Sequence, residues 1–170
     1  MLTIWWDNPK IYESEDKTEM TLTQKEIMLL EDAKKQEQLC IDKYNKYADS
    51  AVGQKLKTLF QTMASVEGEH LNTINQLLSG TVPQVPVGSS SRSKFDQSGY
   101  KGDCPDSAKQ QTQYMCADSL AMEKHASGLY NTGIFEMCQP AVRDVLNHIQ
   151  KEEQEHGEQI FLYMSDNGLY

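Results

Sequence analysis

Glu153 and His156 stand three residues apart in Lys151-Glu152-Glu153-Gln154-Glu155-His156. On a helix this spacing sends both side chains from one face, one turn apart, within reach of a single metal ion. Their surroundings sharpen the reading. Val142, Leu146, Ile149, Glu153, His156, Ile160 and Tyr163 follow a 4-3-4-3-4-3 rhythm, so the pair occupies two positions of an otherwise apolar stripe. A packed helix would bury them.

The pattern occurs twice. Glu67-Gly68-Glu69-His70 lies in the stripe Leu56, Phe60, Met63, Glu67, His70, Ile74, Leu77, at an offset of 86 residues (67 to 153, 70 to 156). The same offset pairs Glu37 with Glu123, Tyr44 with Tyr130 and Asn45 with Asn131. Each half therefore reads Glu, Tyr seven residues on, and Glu-x-x-His with its Glu thirty residues after the first. Alone, one such run is a solvated helical face. Two copies in register, each in an apolar stripe, would bury four carboxylates together at several kcal/mol per unpaired charge.

Two divalent cations balance those four charges. Glu37 and Glu123 are the expected terminal ligands, Glu67 and Glu153 the bridges, and His70 and His156 complete one ion each. An oxygen-rich shell with one imidazole per ion suits iron or manganese, and leaves positions open for dioxygen, peroxide or water. Tyr44 lies about 10.5 Å along the helix from Glu37, too far to serve that carboxylate. The expectation is crossed support, Tyr44 to Glu123 and Tyr130 to Glu37, against the alternative of ordinary core tyrosines bonded elsewhere.

The elements needed to position these residues are four helices in two hairpins. Residues 1–22 read as a polar tail docked by Trp5 and Trp6, and Thr23-Gln24-Lys25-Glu26 is a capping box opening a helix to about Asp49. Ile27, Leu30, Glu37, Ile41, Tyr44 and Ala48 form its inner stripe. Gly53 precedes a second helix over 54–78. Ser79 to Pro105 is rich in turn residues, and a connection of that length suits a return along the whole bundle, which makes the third helix run parallel to the second. Asp106 or Ser107 caps the third helix, whose inner face carries Cys116, Ser119, Glu123, Ala126 and Tyr130 and which Thr132-Gly133 should end. Pro140 opens the fourth, which runs to about Ser165 and is stopped by Asn167-Gly168, with 166–170 as a C-terminal tail. The result is an all-α four-helix bundle over 23–165, with 79–105 as its crossover.

Composition narrows the partners. The 170 residues carry a net charge of −9 with no basic cluster, which argues against nucleic acid and anionic membranes and favours a cation. The N-terminal apolar run is too short for a secretory or membrane segment, so the expectation is an intracellular, soluble protein. Cys40, Cys104, Cys116 and Cys138 form no Cys-x-x-Cys pair and read as free thiols, with Cys104 placed in a loop where crosslinking between chains is open to it.

The two halves resemble the ferritin-like superfamily, and the Glu, Tyr and Glu-x-x-His series is similar to its rubrerythrin branch. Ala126 stands where rubrerythrins carry a further glutamate. A closer resemblance, to the Coat F family of spore coat proteins, lies in Leu22-Thr23-Gln24-Lys25-Glu26, in Asn131-Thr132-Gly133-Ile134-Phe135 and in the run from Pro140-Ala141-Val142-Arg143-Asp144 to Glu155-His156-Gly157-Glu158. It extends from Leu22 to Met164. The resemblance implies a ferritin-like protein made in the mother-cell cytoplasm of an endospore former and deposited in the spore coat among other coat proteins; a homodimer is among the assemblies open to it. Two functions follow: a di-iron or di-manganese oxidoreductase acting on peroxide or dioxygen, or a structural coat component whose metal site serves stability or is vestigial.

Overall fold

The computed structural model describes residues 20–85 and 88–170; the Trp5-Trp6 tail lies outside them. Four α-helices account for most of these residues: α1 (Gln24–Ser50), α2 (Gln54–Leu78), α3 (Lys109–Glu136) and α4 (Pro140–Asp166). No strand occurs among the described residues. Thr23 caps α1 with both bonds of the capping box formed: its hydroxyl accepts from Glu26 N, and the Glu26 carboxylate accepts from Thr23 N. Glu26 also accepts from Cys138 N at 2.8 Å, tying the start of α1 to the α3–α4 turn.

Short turns make α1–α2 and α3–α4 hairpins, and α1 then packs on α3 and α2 on α4. Tyr44 meets Glu123 while Tyr130 meets Glu37, so α1 and α3 are antiparallel. His70 meets Glu152 while His156 meets Glu67, so α2 and α4 are antiparallel too. It follows that α2 and α3 point the same way, and residues 79–105 must travel the length of the bundle between them.

That connection is more ordered than its composition suggests. It contains a 3-10 turn at Ser91–Lys94 and buries Ser91, Phe95 and Tyr100. Glu155, itself buried, accepts from the Ser90 hydroxyl, Ser91 N and the Ser91 hydroxyl at 2.8–3.0 Å. Tyr100 donates its hydroxyl to Gln159 and its N–H to Asp166. At the far end the Asn167 side chain binds Tyr100 O, Asp103 N and Cys104 N. Residues 166–169 therefore anchor the crossover rather than trailing as a free tail, and Leu169 is buried after Gly168, which turns the chain at φ 66°.

The third helix corrects the expected stop at Thr132-Gly133. It continues to Glu136 because Gly133 keeps a helical conformation facing Leu146, whose Cδ1 would lie 3.8 Å from an added Cβ, and because Ile134 and Met137 pack into the core one turn further on. On α1, Ile27 and Ile41 are only half-buried; Ala33, Gln36 and Cys40 fill the inner face beside Leu30, Glu37, Tyr44 and Ala48.

The core has two apolar halves. One gathers Tyr44, Leu56, Phe60, Met63, Ile160 and Tyr163; the other gathers Leu30, Ile74, Leu77, Val142, Leu146 and Ile149. Between them lies a single layer of glutamates and histidines. The four cysteines are free thiols.

Asp103 fastens the crossover to the bundle by accepting from Lys55 N and Leu56 N, the orphan amides of the first turn of α2, at 2.9 Å each. Gly53 permits this approach, since a Cβ there would fall 2.1 Å from Asp103 Oδ2 and 2.4 Å from Asp103 O. Asp103→Ala should lower stability by about 1–3 kcal/mol, read as a reduced urea midpoint. Gly53→Ala should cost more, because its clash with the Asp103 carbonyl remains whatever the side chain does. A neutral Gly53→Ala would contradict this account of the junction.

Candidate metal centre

The apolar stripes bury Glu37 on α1, Glu67 and His70 on α2, Glu123 on α3, and Glu153 and His156 on α4, and none of the six exceeds 2% exposure. The bundle brings them together as two overlapping groups, Glu37, Glu67, His70 and Glu153, and Glu67, Glu123, Glu153 and His156, each with one ligand-type atom per residue within 4.8 Å of the others. Glu67 and Glu153 belong to both. Glu67 lies 2.9 Å from His70 Nδ1 through one oxygen and 3.1 Å from His156 Nδ1 through the other. Glu153 does the same more loosely, at 3.2 Å and 4.0 Å. Glu37 approaches His70 Nδ1 to 3.7 Å and Glu123 approaches His156 Nδ1 to 3.6 Å. The two rings stack with centroids 5.8 Å apart.

Tyr44 donates its hydroxyl to Glu123 Oε1, and Tyr130 donates to Glu37 Oε1. Each tyrosine thus occupies one carboxylate oxygen and leaves the other turned to the cluster. Those other oxygens, Glu37 Oε2 and Glu123 Oε2, make no hydrogen bond, and neither do both oxygens of Glu153. Buried polar atoms are normally partnered, and leaving a carboxylate oxygen bare costs kilocalories. Among the described residues, the buried carboxylate oxygens without a partner all belong to this one layer. Cations placed among them would satisfy all four, so the residues fit a metal site.

The electrostatics describe the same constraint. Burial pushes the Glu37 carboxyl up to about 7, with the Glu67 charge adding to the rise and His70 opposing it. Burial and the charges of Glu67, Glu123 and Glu37 hold Glu153 well above the usual carboxylate range. Glu67 goes the other way. Burial would raise it as well, but the His156 and His70 imidazoles outweigh that and hold it well below. Burial alone would depress both imidazoles; instead Glu67 and Glu123 raise His156 to about 10, and Glu152, Glu153, Glu37 and Glu67 hold His70 well above its ordinary value.

Sequence reasoning gave Glu152 and Glu155 no role. Both are buried, Glu152 against His70 and Glu155 under the crossover. A signal for Glu152 existed: Val66, its counterpart one repeat earlier, marks that angular position as inward. Phe95, brought in by the crossover, sets its ring edge-on to His156. On another side, a cavity of about 360 Å³ opens between α3 and α4, lined by Leu120, Lys124, Ser127, Gln154 and Gly157, and it reaches Glu123 and Glu153.

Residues 111–170 match the Coat F domain. The match takes in most of α3 and all of α4, and so includes Glu123, Tyr130, Glu153 and His156. It is narrower than the resemblance running from Leu22 and leaves the first hairpin unmatched. No curated protein and no solved structure matches the chain. Among the described residues, no helix is long and apolar enough to cross a membrane.

In the absence of metal the raised values of Glu37, up to about 7, and His156, up to about 10, mean that these groups hold protons at neutral pH. Metal must displace those protons, so affinity should rise with pH through about 7 and on toward about 10, with net proton release on binding. Calorimetric titration of the stripped protein with Mn²⁺, in buffers of different ionisation enthalpy, reads that release. Heats independent of buffer would contradict it.

Proposed function

We propose that this chain is a ferritin-like protein of the spore coat that holds two iron or manganese ions and acts as an oxidoreductase on peroxide or dioxygen. The observation that carries the reading is the pair of overlapping four-residue groups sharing Glu67 and Glu153, with the unpartnered carboxylate oxygens turned toward them. Glu67 and Glu153 would be shared by both ions, Glu37 and His70 would complete one position, and Glu123 and His156 would complete the other. Four carboxylates and two imidazoles match the preferences of iron or manganese rather than of thiolate-seeking ions. When bound, such a pair of ions supplies redox chemistry at open coordination positions.

The chain's own residues set the conditions. Tyr44 and Tyr130 orient the two terminal carboxylates, fixing which oxygen of each faces inward. The apolar halves of the core exclude water above and below the layer, and the cavity between α3 and α4 admits a molecule of peroxide size to the Glu123 and Glu153 side. Ala126 is buried and carries no carboxylate that could compete with either imidazole for a position. A second reading, a structural coat component whose metal site serves stability, is favoured by the Coat F match itself.

Three measurements test these readings. Protein purified without added metal should contain about two iron or manganese ions per chain. After iron loading and reduction, rapid mixing should show oxidation by hydrogen peroxide at least as fast as by dioxygen; oxidation no faster than that of free ferrous iron in the same buffer, with metal fully bound, would favour the structural reading. Glu67→Ala or Glu153→Ala should release both metals, whereas Glu37→Ala or Glu123→Ala should release mainly one. Equal loss across the four variants would refute the bridging assignment.

A further inference from the structure

The two halves of the layer differ chemically at Glu152. Its Oε2 lies 2.9 Å from His70 Nε2, the ring nitrogen turned away from Glu37, Glu67 and Glu153, and both residues are buried. A neutral imidazole carries one N–H and one lone pair. With a carboxylate on Nε2, the N–H is held there and the Nδ1 lone pair faces the cluster. His156 has no such support. Its Nε2 is buried without a hydrogen-bond partner, and its ring meets the edge of Phe95. The first hairpin carries Val66 where the second carries Glu152, at the same 86-residue offset (66 to 152), and Val66 is wholly buried. The 86-residue pairing is thus broken at the position that touches the Nε2 side of His70.

We infer that Glu152 makes the two metal positions unequal: as a positioning residue it holds His70 ready for a metal, so the position formed by Glu37, Glu67, His70 and Glu153 fills first and the His156 position second. This inference rests on the dinuclear reading above. An anionic acceptor on the far N–H fixes the ring, strengthens the ligating nitrogen, and is typically worth about 10- to 100-fold in metal affinity. His148 Nε2, 3.4 Å from the same Glu152 oxygen, and Ser89, 3.4 Å from His148 Nδ1, continue the contact outward. Neither reaches His70.

Mn²⁺ titration of the stripped full-length chain tests it, with stepwise affinities from chelator competition and spin coupling from paramagnetic resonance. At one equivalent, wild type should show the spectrum of an isolated ion, and at two equivalents that of a coupled pair, with the first step about 10- to 100-fold tighter than the second. Glu37→Ala should abolish the tight step and Glu123→Ala the weak one, which locates each. Glu152→Leu should bring the first step down toward the second, and Glu152→Gln, which still accepts from Nε2–H but without charge, should fall between. If Glu152→Leu fails to fold by circular dichroism, the Gln variant carries the comparison alone. Two equal steps in wild type, or a tight step intact in Glu152→Gln and Glu152→Leu alike, would overturn the inference and leave the dinuclear centre standing. Two-ion binding absent altogether would sink both.

Discussion

Four glutamates and two histidines occupy one layer in the middle of an apolar core, and the cost of burying that charge is the constraint on which the rest of the molecule turns. An ionised carboxylate taken out of water costs several kcal/mol unless it is paired and hydrogen-bonded. Within the layer the pairing is partial: Glu67 is embraced by both imidazoles, while Glu153 has no hydrogen bond on either oxygen. A layer that served stability alone would be closed by its own hydrogen bonds. One with bare oxygens turned inward could hold a cation.

The surrounding structure keeps that layer in place from two sides. Each tyrosine crosses from one hairpin to the other, so the hydrogen bonds that orient Glu37 and Glu123 also join α1 to α3. The crossover is fastened by two carboxylates, Glu155 near its middle and Asp103 at the first turn of α2, and it brings Phe95 against His156. A cavity lies between α3 and α4, lined in part by Gly157 and Ser127 and reaching Glu123 and Glu153. The same fold therefore sets Phe95 against one imidazole and leaves a cavity beside the buried Glu123 and Glu153.

The near-twofold repetition of the chain is imperfect where it matters chemically. Val66 and Glu152 occupy matched positions, one apolar and one anionic, and so one imidazole has an outer partner and the other does not. Gly53 and Gln139 differ in a comparable way: the first must be glycine to admit Asp103, whereas the second stands at the start of α4 with Pro140 behind it.

The sequence by itself determined the helices and which of their faces are buried, because a 4-3 spacing of apolar residues on a helix has one inward side whatever the partner. Glu37, Glu67, His70, Glu123, Glu153 and His156 lie on those sides, and Thr23 with Glu26 marks the start of α1 by a bond pattern confined to four neighbouring residues. Only the tertiary structure decided the rest. The end of α3 goes with Ile134 and Met137 packing into the core across the hairpin, which overrides the local tendency of Thr-Gly to stop a helix. Which nitrogen of His70 faces the cluster depends on Glu152 arriving from α4, and the burial of Glu155 depends on Ser90 and Ser91 being carried to it by the crossover. Periodicity reports the direction in which a side chain leaves its own helix. It does not report what another segment, distant in sequence, places in front of it.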